Sequence, residues 1–331
     1  MASLSLDPDL AGEFSSEPAT GSHVGEVFDI VSAEVTAVLG HCPYTAEDVR
    51  SWLTPVEGGR AAQLLVRDSE DGAPVQWWSA MRDPGGEIVF AGVRSHPRLS
   101  EDVGDRLAAA GWVALLSWIG REVASEGVET TIHSGMSHGN DAARRRLHAA
   151  GFTHTRTFWA MSGPVNDAPR TVEGSVEAHT IIATDDATTM HRILDEAFAD
   201  HWGYETLGFD EWWAIERSLA GHDPALWRFA MLDGEPVSAM IMSRRVTDKG
   251  ALYVQELATR ASYRGRGIAS SLLRHAFDVA AEEGLDKVEL HVDSSNAYQA
   301  PSVYRRAGME VQSAFEAFTR TMVGGASHRR T

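Results

Sequence analysis

Apolar residues recur at helical spacing at Met190, Ile193, Leu194, Ala197 and Phe198, with Thr184 or Asp185 placed to cap the helix. A second helix is predicted from near Asp210 to a stop at Gly221. Trp227, Phe229 and Met231 then alternate as along a strand, and residues 252–258 read as another. Ile268, Leu272, Ala276 and Val279 line one face of a further helix that Gly284 closes. Val288, Leu290 and Val292 alternate with Glu289, His291 and Asp293, the pattern of a half-buried strand.

The pattern occurs twice. Residues 71–75 read Asp-Gly-Ala-Pro-Val and residues 233–237 read Asp-Gly-Glu-Pro-Val, each a turn between strand-like runs. Residues 76–80 match 238–242 as the outgoing strand, and His96 with Pro97 aligns with Arg260 and Ala261. Asn140, Gly151 and Phe152 repeat as Asn296, Gly308 and Met309. Each copy runs strand, turn, strand, strand, helix, strand, helix. That order predicts two tandem α/β units of α+β character, each with a mixed central sheet flanked by helices. The expected boundaries are a disordered tail over 1–25, domains over 26–163 and 176–323, a linker over 164–175 and a second tail over 324–331.

With 331 residues, 43% hydrophobic and 23% charged, the chain has globular composition. No apolar run approaches the ~18 residues of a membrane span, and the N-terminus lacks a signal pattern. The single cysteine, Cys42, fits a reducing cytoplasm. The net charge of −18 disfavours nucleic acid and anionic membrane and favours cationic partners. No metal site is expected, because neither a His-Glu-x-x-His pattern nor zinc-finger spacing occurs.

Residues 264–269, Arg-Gly-Arg-Gly-Ile-Ala, join a strand to a helix. Such a turn is an anion cradle: backbone N–H groups converge and the helix dipole adds positive charge. Ser270 stands where a dinucleotide fingerprint needs its third glycine, and no P-loop signature is present. Arg264, Gly267 and Ala269, together with Asn296, Ala300, Tyr304, Gly308 and Met309 downstream, resemble the GNAT acetyltransferase superfamily. Met309 replaces the usual Phe. The resemblance implies acetyl-CoA as co-substrate. It would be held by Leu257, Ala258 and Thr259 on the strand, by Arg264, Gly265, Arg266, Gly267, Ile268, Ala269 and Ser270 in the cradle, and by Asn296.

In the first copy Ser100, Val103 and Asp105 stand opposite Arg264, Gly267 and Ala269, Gly92 opposite Glu256, and Leu147 opposite Tyr304. That copy is expected to be degenerate and structural, an asymmetric, mycothiol-synthase-like tandem organisation. The resemblance makes the second copy catalytic, with Glu256 as general base and Tyr304 as general acid for the leaving sulfur. Strand alternation puts Gln255 and Glu256 on opposite faces, leaving one of them in the cleft and a Gln255-bound water as the alternative base. Asp200, His201, Trp202 and Tyr204 mix aromatic and polar groups suited to an amine. The expected activity is acetyl transfer to a primary amine of a small molecule: an amino sugar, an antibiotic or a metabolite amine. The expected assembly is a pseudo-dimeric monomer or a homodimer. A non-catalytic acyl-CoA sensor and a protein N-terminal acetyltransferase are the alternatives.

Overall fold

The computed structural model describes residues 4–55, 58–82, 88–123, 129–166, 179–199, 204, 206–219, 221–295 and 300–323. The chain divides into two compact units, residues 1–157 with 315–331, and residues 158–314. Both are α/β with mixed sheets.

In chain order the first unit contains β1 (Phe14–Pro18), α1 (Val24–Leu39), α2 (Ala46–Leu53), β2 (Arg60–Asp68), β3 (Pro74–Arg82), β4 (Ile88–Ser95), α3 (Glu101–Val123), β5 (Glu129–Ser137), α4 (Asp141–Ala149) and the start of β6 (Thr153–Pro164). Strands β1 to β4 pair antiparallel in order, and β4 pairs parallel with β5. Trp78, Leu107, Leu115, Ile119 and Phe152 fill the core on the α3 side, and Val27, Ile30 and Leu65 fill the α1 side.

The second unit repeats this plan. It contains β7 (Thr180–Ala183), α5 (Ala187–Phe198), α6 (Phe209–Ser218), β8 (Arg228–Leu232), β9 (Glu235–Ser243), β10 (Ala251–Thr259), α7 (Ile268–Glu282), β11 (Lys287–Asp293), α8 (Ala300–Arg306) and the start of β12 (Glu310–Val323). Strands β7 to β10 pair antiparallel and β10 pairs parallel with β11. Met240, Leu272, Phe277 and Leu290 pack beneath α7, while Met190, Ile193, Trp227 and Ile241 pack beneath α5. Asp233 and Gly234 both take positive φ, as a tight turn between adjacent antiparallel strands requires.

Three expectations change. First, the stretch taken as an N-terminal tail is built into the first unit. β1 pairs with β2 from Phe14↔Asp68 to Pro18↔Leu64, and Leu4, Leu10 and Phe14 are buried. Three well-spaced apolar anchors and backbone pairing hold a stretch with no hydrophobic period. Second, the units do not break at a linker alone. β6 joins the second unit from Phe158, where it pairs with β11, and β12 joins the first from Phe315, where it pairs with β5. The linker, apart from residues 164–166, and the tail over 324–331 lie outside the described residues. Third, Asp186 rather than Thr184 or Asp185 caps α5, accepting from the Thr189 N–H at 2.9 Å.

Candidate active site

Two parallel strands part company at the centre of the second unit. β10 pairs with β11 from Ala251↔Lys287 to Val254↔Leu290, and its described register with β11 ends there. At the same point its register with β9 slips: Val254 faces Met242, Glu256 faces Ile241, and Gln255 is the extra residue of a β-bulge.

The bulge overturns the expectation that Gln255 and Glu256 face opposite ways. Leu252, Val254 and Leu257 belong with the core under α7, whereas Ala258 belongs with the core under α5. The phase of the strand shifts by one residue, so Gln255 and Glu256 both turn toward α5 and α6. The Gln255 amide donates to Glu216 Oε2 on α6 at 2.7 Å. Glu216 is buried, and His222 Nδ1 lies 3.2 Å from its other oxygen.

Glu256 stands beside this buried carboxylate. Burial, and then the charge of Glu216, lift its carboxyl to about 7. Three phenols share the neighbourhood. Tyr304 on α8 is buried, and burial together with the Glu256 charge holds its O–H well above the usual phenol value. Tyr204 donates to Asp195 Oδ1 at 3.1 Å, and burial and that bond push its phenol up to about 12. Burial lifts Tyr253 to about 12 as well, its O–H lying 2.7 Å from His291 Nδ1.

The cradle follows β10. Gly265 and Gly267 take φ of 77° and 79°, backbone that a residue with a Cβ adopts at a cost of about 1–2 kcal/mol. Gly267 is the N-cap of α7 and no side chain caps that end. The N–H groups of Ile268, Ala269 and Ser270 therefore face outward without intrahelical partners, as the first turn of any helix does. Arg264 also braces the turn from within. Its Nε donates to Thr259 O at 3.1 Å and its Nη2 to Ala197 O at 2.8 Å, tying the end of β10 to the end of α5. Arg266 lies over the Tyr263 ring at 5.1 Å and donates to Ser262 O. Ser238 Oγ donates to Ala258 O at 2.6 Å and accepts from Thr259 Oγ1, fixing the strand end.

The structure thus brings Tyr304 and Tyr204 each within electrostatic reach of Glu256. The side chains of Ala258 and Ile268 are core, so these residues can offer a ligand only their backbone. Asp200, His201, Trp202 and Asn296 lie outside the described residues. Sequence reading missed Glu216, Asp195 and Tyr253. One signal for Glu216 was available: it falls four residues after Trp212, on the apolar stripe of an amphipathic helix. Among the described residues no group of acids, histidines or cysteines fits a metal ion, and no helix is long and apolar enough to cross a membrane.

The first unit lacks this arrangement. Arg146 on α4 reaches into the corresponding place, with Nε donating to Asp105 at 2.6 Å and Nη1 to Ser95 Oγ at 3.0 Å. A Cβ on Gly104 would meet the same guanidinium at 2.6 Å. Ser95 Oγ in turn lies 2.8 Å from Gln76 Nε2, and Gln76 Oε1 accepts from Trp78 Nε1. Leu147 is buried where the second copy has Tyr304.

Residues 187–309 match the acetyltransferase (GNAT) family. The mycothiol acetyltransferase of Beutenbergia cavernae is 26% identical over 263 residues, 76% of this chain and 81% of that protein. A GCN5-related N-acetyltransferase from Sphaerobacter thermophilus shares the fold with a TM-score of 0.76 at 22% identity, over 97% of this chain and 98% of that one. A tandem GNAT protein from the clavulanic acid biosynthesis pathway does so with a TM-score of 0.66 at 12% identity, over 95% and 100%.

Proposed function

We propose, from the match of residues 187–309 to the acetyltransferase (GNAT) family, that the second unit transfers acetyl from acetyl-CoA to a primary amine of a small molecule by direct attack on the thioester. The observation that carries the reading is Glu256 at the bulge, a carboxyl lifted to about 7 where β10 leaves β11. A base with that affinity for protons is half-ionised at neutral pH, the condition in which it takes a proton from an ammonium most usefully.

The residues present fit the co-substrate. The α7 amides and the two positive-φ glycines suit a diphosphate, and Arg264 holds the turn in shape around it. The edge of β10 at Leu257, Ala258 and Thr259 offers backbone groups to the amides of an extended thioester arm, and the family resemblance adds Asn296 to this set. Glu256 takes the first proton from the acceptor. As the C–N bond forms and the C–S bond breaks, the nitrogen's surplus proton ends on the sulfur. Tyr304 meets that sulfur with its O–H. Its phenol stays far above a thiol near 8.5, so it acts as a hydrogen-bond donor that steadies the leaving sulfur more than as a full acid. Tyr204, with Asp200, His201 and Trp202, contacts the acceptor, an amine whose charge the carboxylates of Glu256, Glu216 and Asp195 attract.

Incubation with acetyl-CoA and a library of small amines, read by thiol release, tests the proposal. Release that depends on a small primary amine and falls in Glu256→Gln is expected. Release with peptide N-termini alone, or undiminished in the variant, overturns it.

A further inference from the structure

Over Tyr253, three residues before Glu256 on β10, lies a cation that the transfer reaction does not use. Arg245 follows β9 and is exposed, its guanidinium 4.7 Å from the centre of the Tyr253 ring. Among the described residues no carboxylate pairs with it. This is unusual in its surroundings. The chain carries 47 acidic residues against 29 basic ones, and the adjacent Arg244 is held by both Asp223 and Glu283. Glu289 lies across the strand pair, opposite Tyr253 in register, and it already holds Lys287 Nζ at 2.6 Å.

Beneath Arg245 the Tyr253 hydroxyl and His291 Nδ1 lie 2.7 Å apart, which leaves His291 Nε2 as a further polar atom. Tyr253 and Glu256 sit on the same strand and, because of the bulge, on the same face of it. The Glu256 charge acts on the Tyr253 phenol directly. Three residue steps separate the two, about 7–10 Å at the rise of a strand shortened by a bulge.

We infer that Arg245, standing over the Tyr253–His291 pair, is an anion subsite for the acceptor, so that the second unit acetylates amines carrying an oxyanion roughly 7–10 Å from the reacting nitrogen. This rests on the proposed acetyl transfer at Glu256 and narrows its substrate class. An α-amino acid is too short to reach from Glu256 to Arg245. A chain or ring of six or seven bonds between nitrogen and anion has the right span. The carboxylates around Glu256 select for the ammonium end, and the unpaired guanidinium selects for the other.

Matched acceptors test this: 6-aminohexanoate against hexylamine, and glucosamine 6-phosphate against glucosamine, each read by thiol release as kcat/KM. A charge-assisted bond to arginine predicts a preference of about 10- to 100-fold for the anionic member of at least one pair. Which pair responds tells carboxylate from phosphate. Arg245→Met, which keeps the stem over the ring, brings the ratio to near 1 through the KM of the anionic amine, and Arg245→Lys restores part of it. Equal rates within both pairs, or a ratio unchanged by Arg245→Met, overturn the subsite and leave the role of Glu256 standing. Release from none of the four amines overturns the inference, and if the wider library is also silent the proposed transfer falls with it.

Discussion

Glu256 was named from the sequence through its place on the strand before the Gly-rich turn, as the family resemblance implies. Its company was not. Glu216 and Gln255 are 39 positions apart, and only the folded packing of α6 against β10 brings that buried carboxylate to the site. The pairing sets a testable pH dependence. A carboxyl lifted to about 7 is protonated below that value, so activity rises as pH passes through 7, and Glu256→Gln removes this limb from the pH–rate profile. Stability runs the other way. The unfolded chain releases this proton near 4.5 and the folded chain near 7, so the folded state holds the extra proton in between and loses stability as pH rises through that window. Thermal melts at pH 8 should show Glu256→Gln more stable than the parent, with the gap closing at pH 4. Tyr304→Phe keeps the buried ring and removes one donor to a developing charge. It should lower kcat by about 10- to 100-fold while calorimetry finds the acetyl-CoA affinity unchanged.

Elements were read well where a period or a glycine marks them and poorly where the backbone departs from the period. The stripe of α7 stands as expected, with Ile268, Leu272, Ala276 and Val279 all buried. The bulge at Gln255 has no residue signature, and it alone decides that Gln255 and Glu256 share a face. In the turn after β10 both arginines were assigned by charge from the sequence, and the folded chain adds backbone bonds made by one of them. Arg264 bonds to the carbonyls of Thr259 and Ala197, so Arg264→Met should lower the melting temperature and disorder the turn. Its loss of coenzyme affinity should be as large in high salt as in low, unlike the loss of a charge contact, which salt screens. Gly267→Glu places a carboxylate at the uncapped end of α7 in left-handed backbone. Calorimetry should find binding abolished with the melting transition retained.

At the scale of the molecule the duplication was plain in the sequence, down to Gly151 and Gly308 with φ of 80° and 83° after matching helices. Which unit each terminal strand serves was not, because strand pairing is made by backbone groups that every residue carries. Arg146 fills the first copy's slot, so titration with acetyl-CoA should saturate at one per chain. The fragment 1–163 lacks residues 315–323, which pair with β5 and include the fully buried Phe318. It should show no cooperative melt. The crossing strands also bear on descent. A duplicated gene ordinarily frees one copy to decay or be deleted. Here a deletion of either half strips the survivor of backbone it has come to depend on. Each half lends the other backbone, so loss of either would be felt by both, and the two halves pass on as one unit.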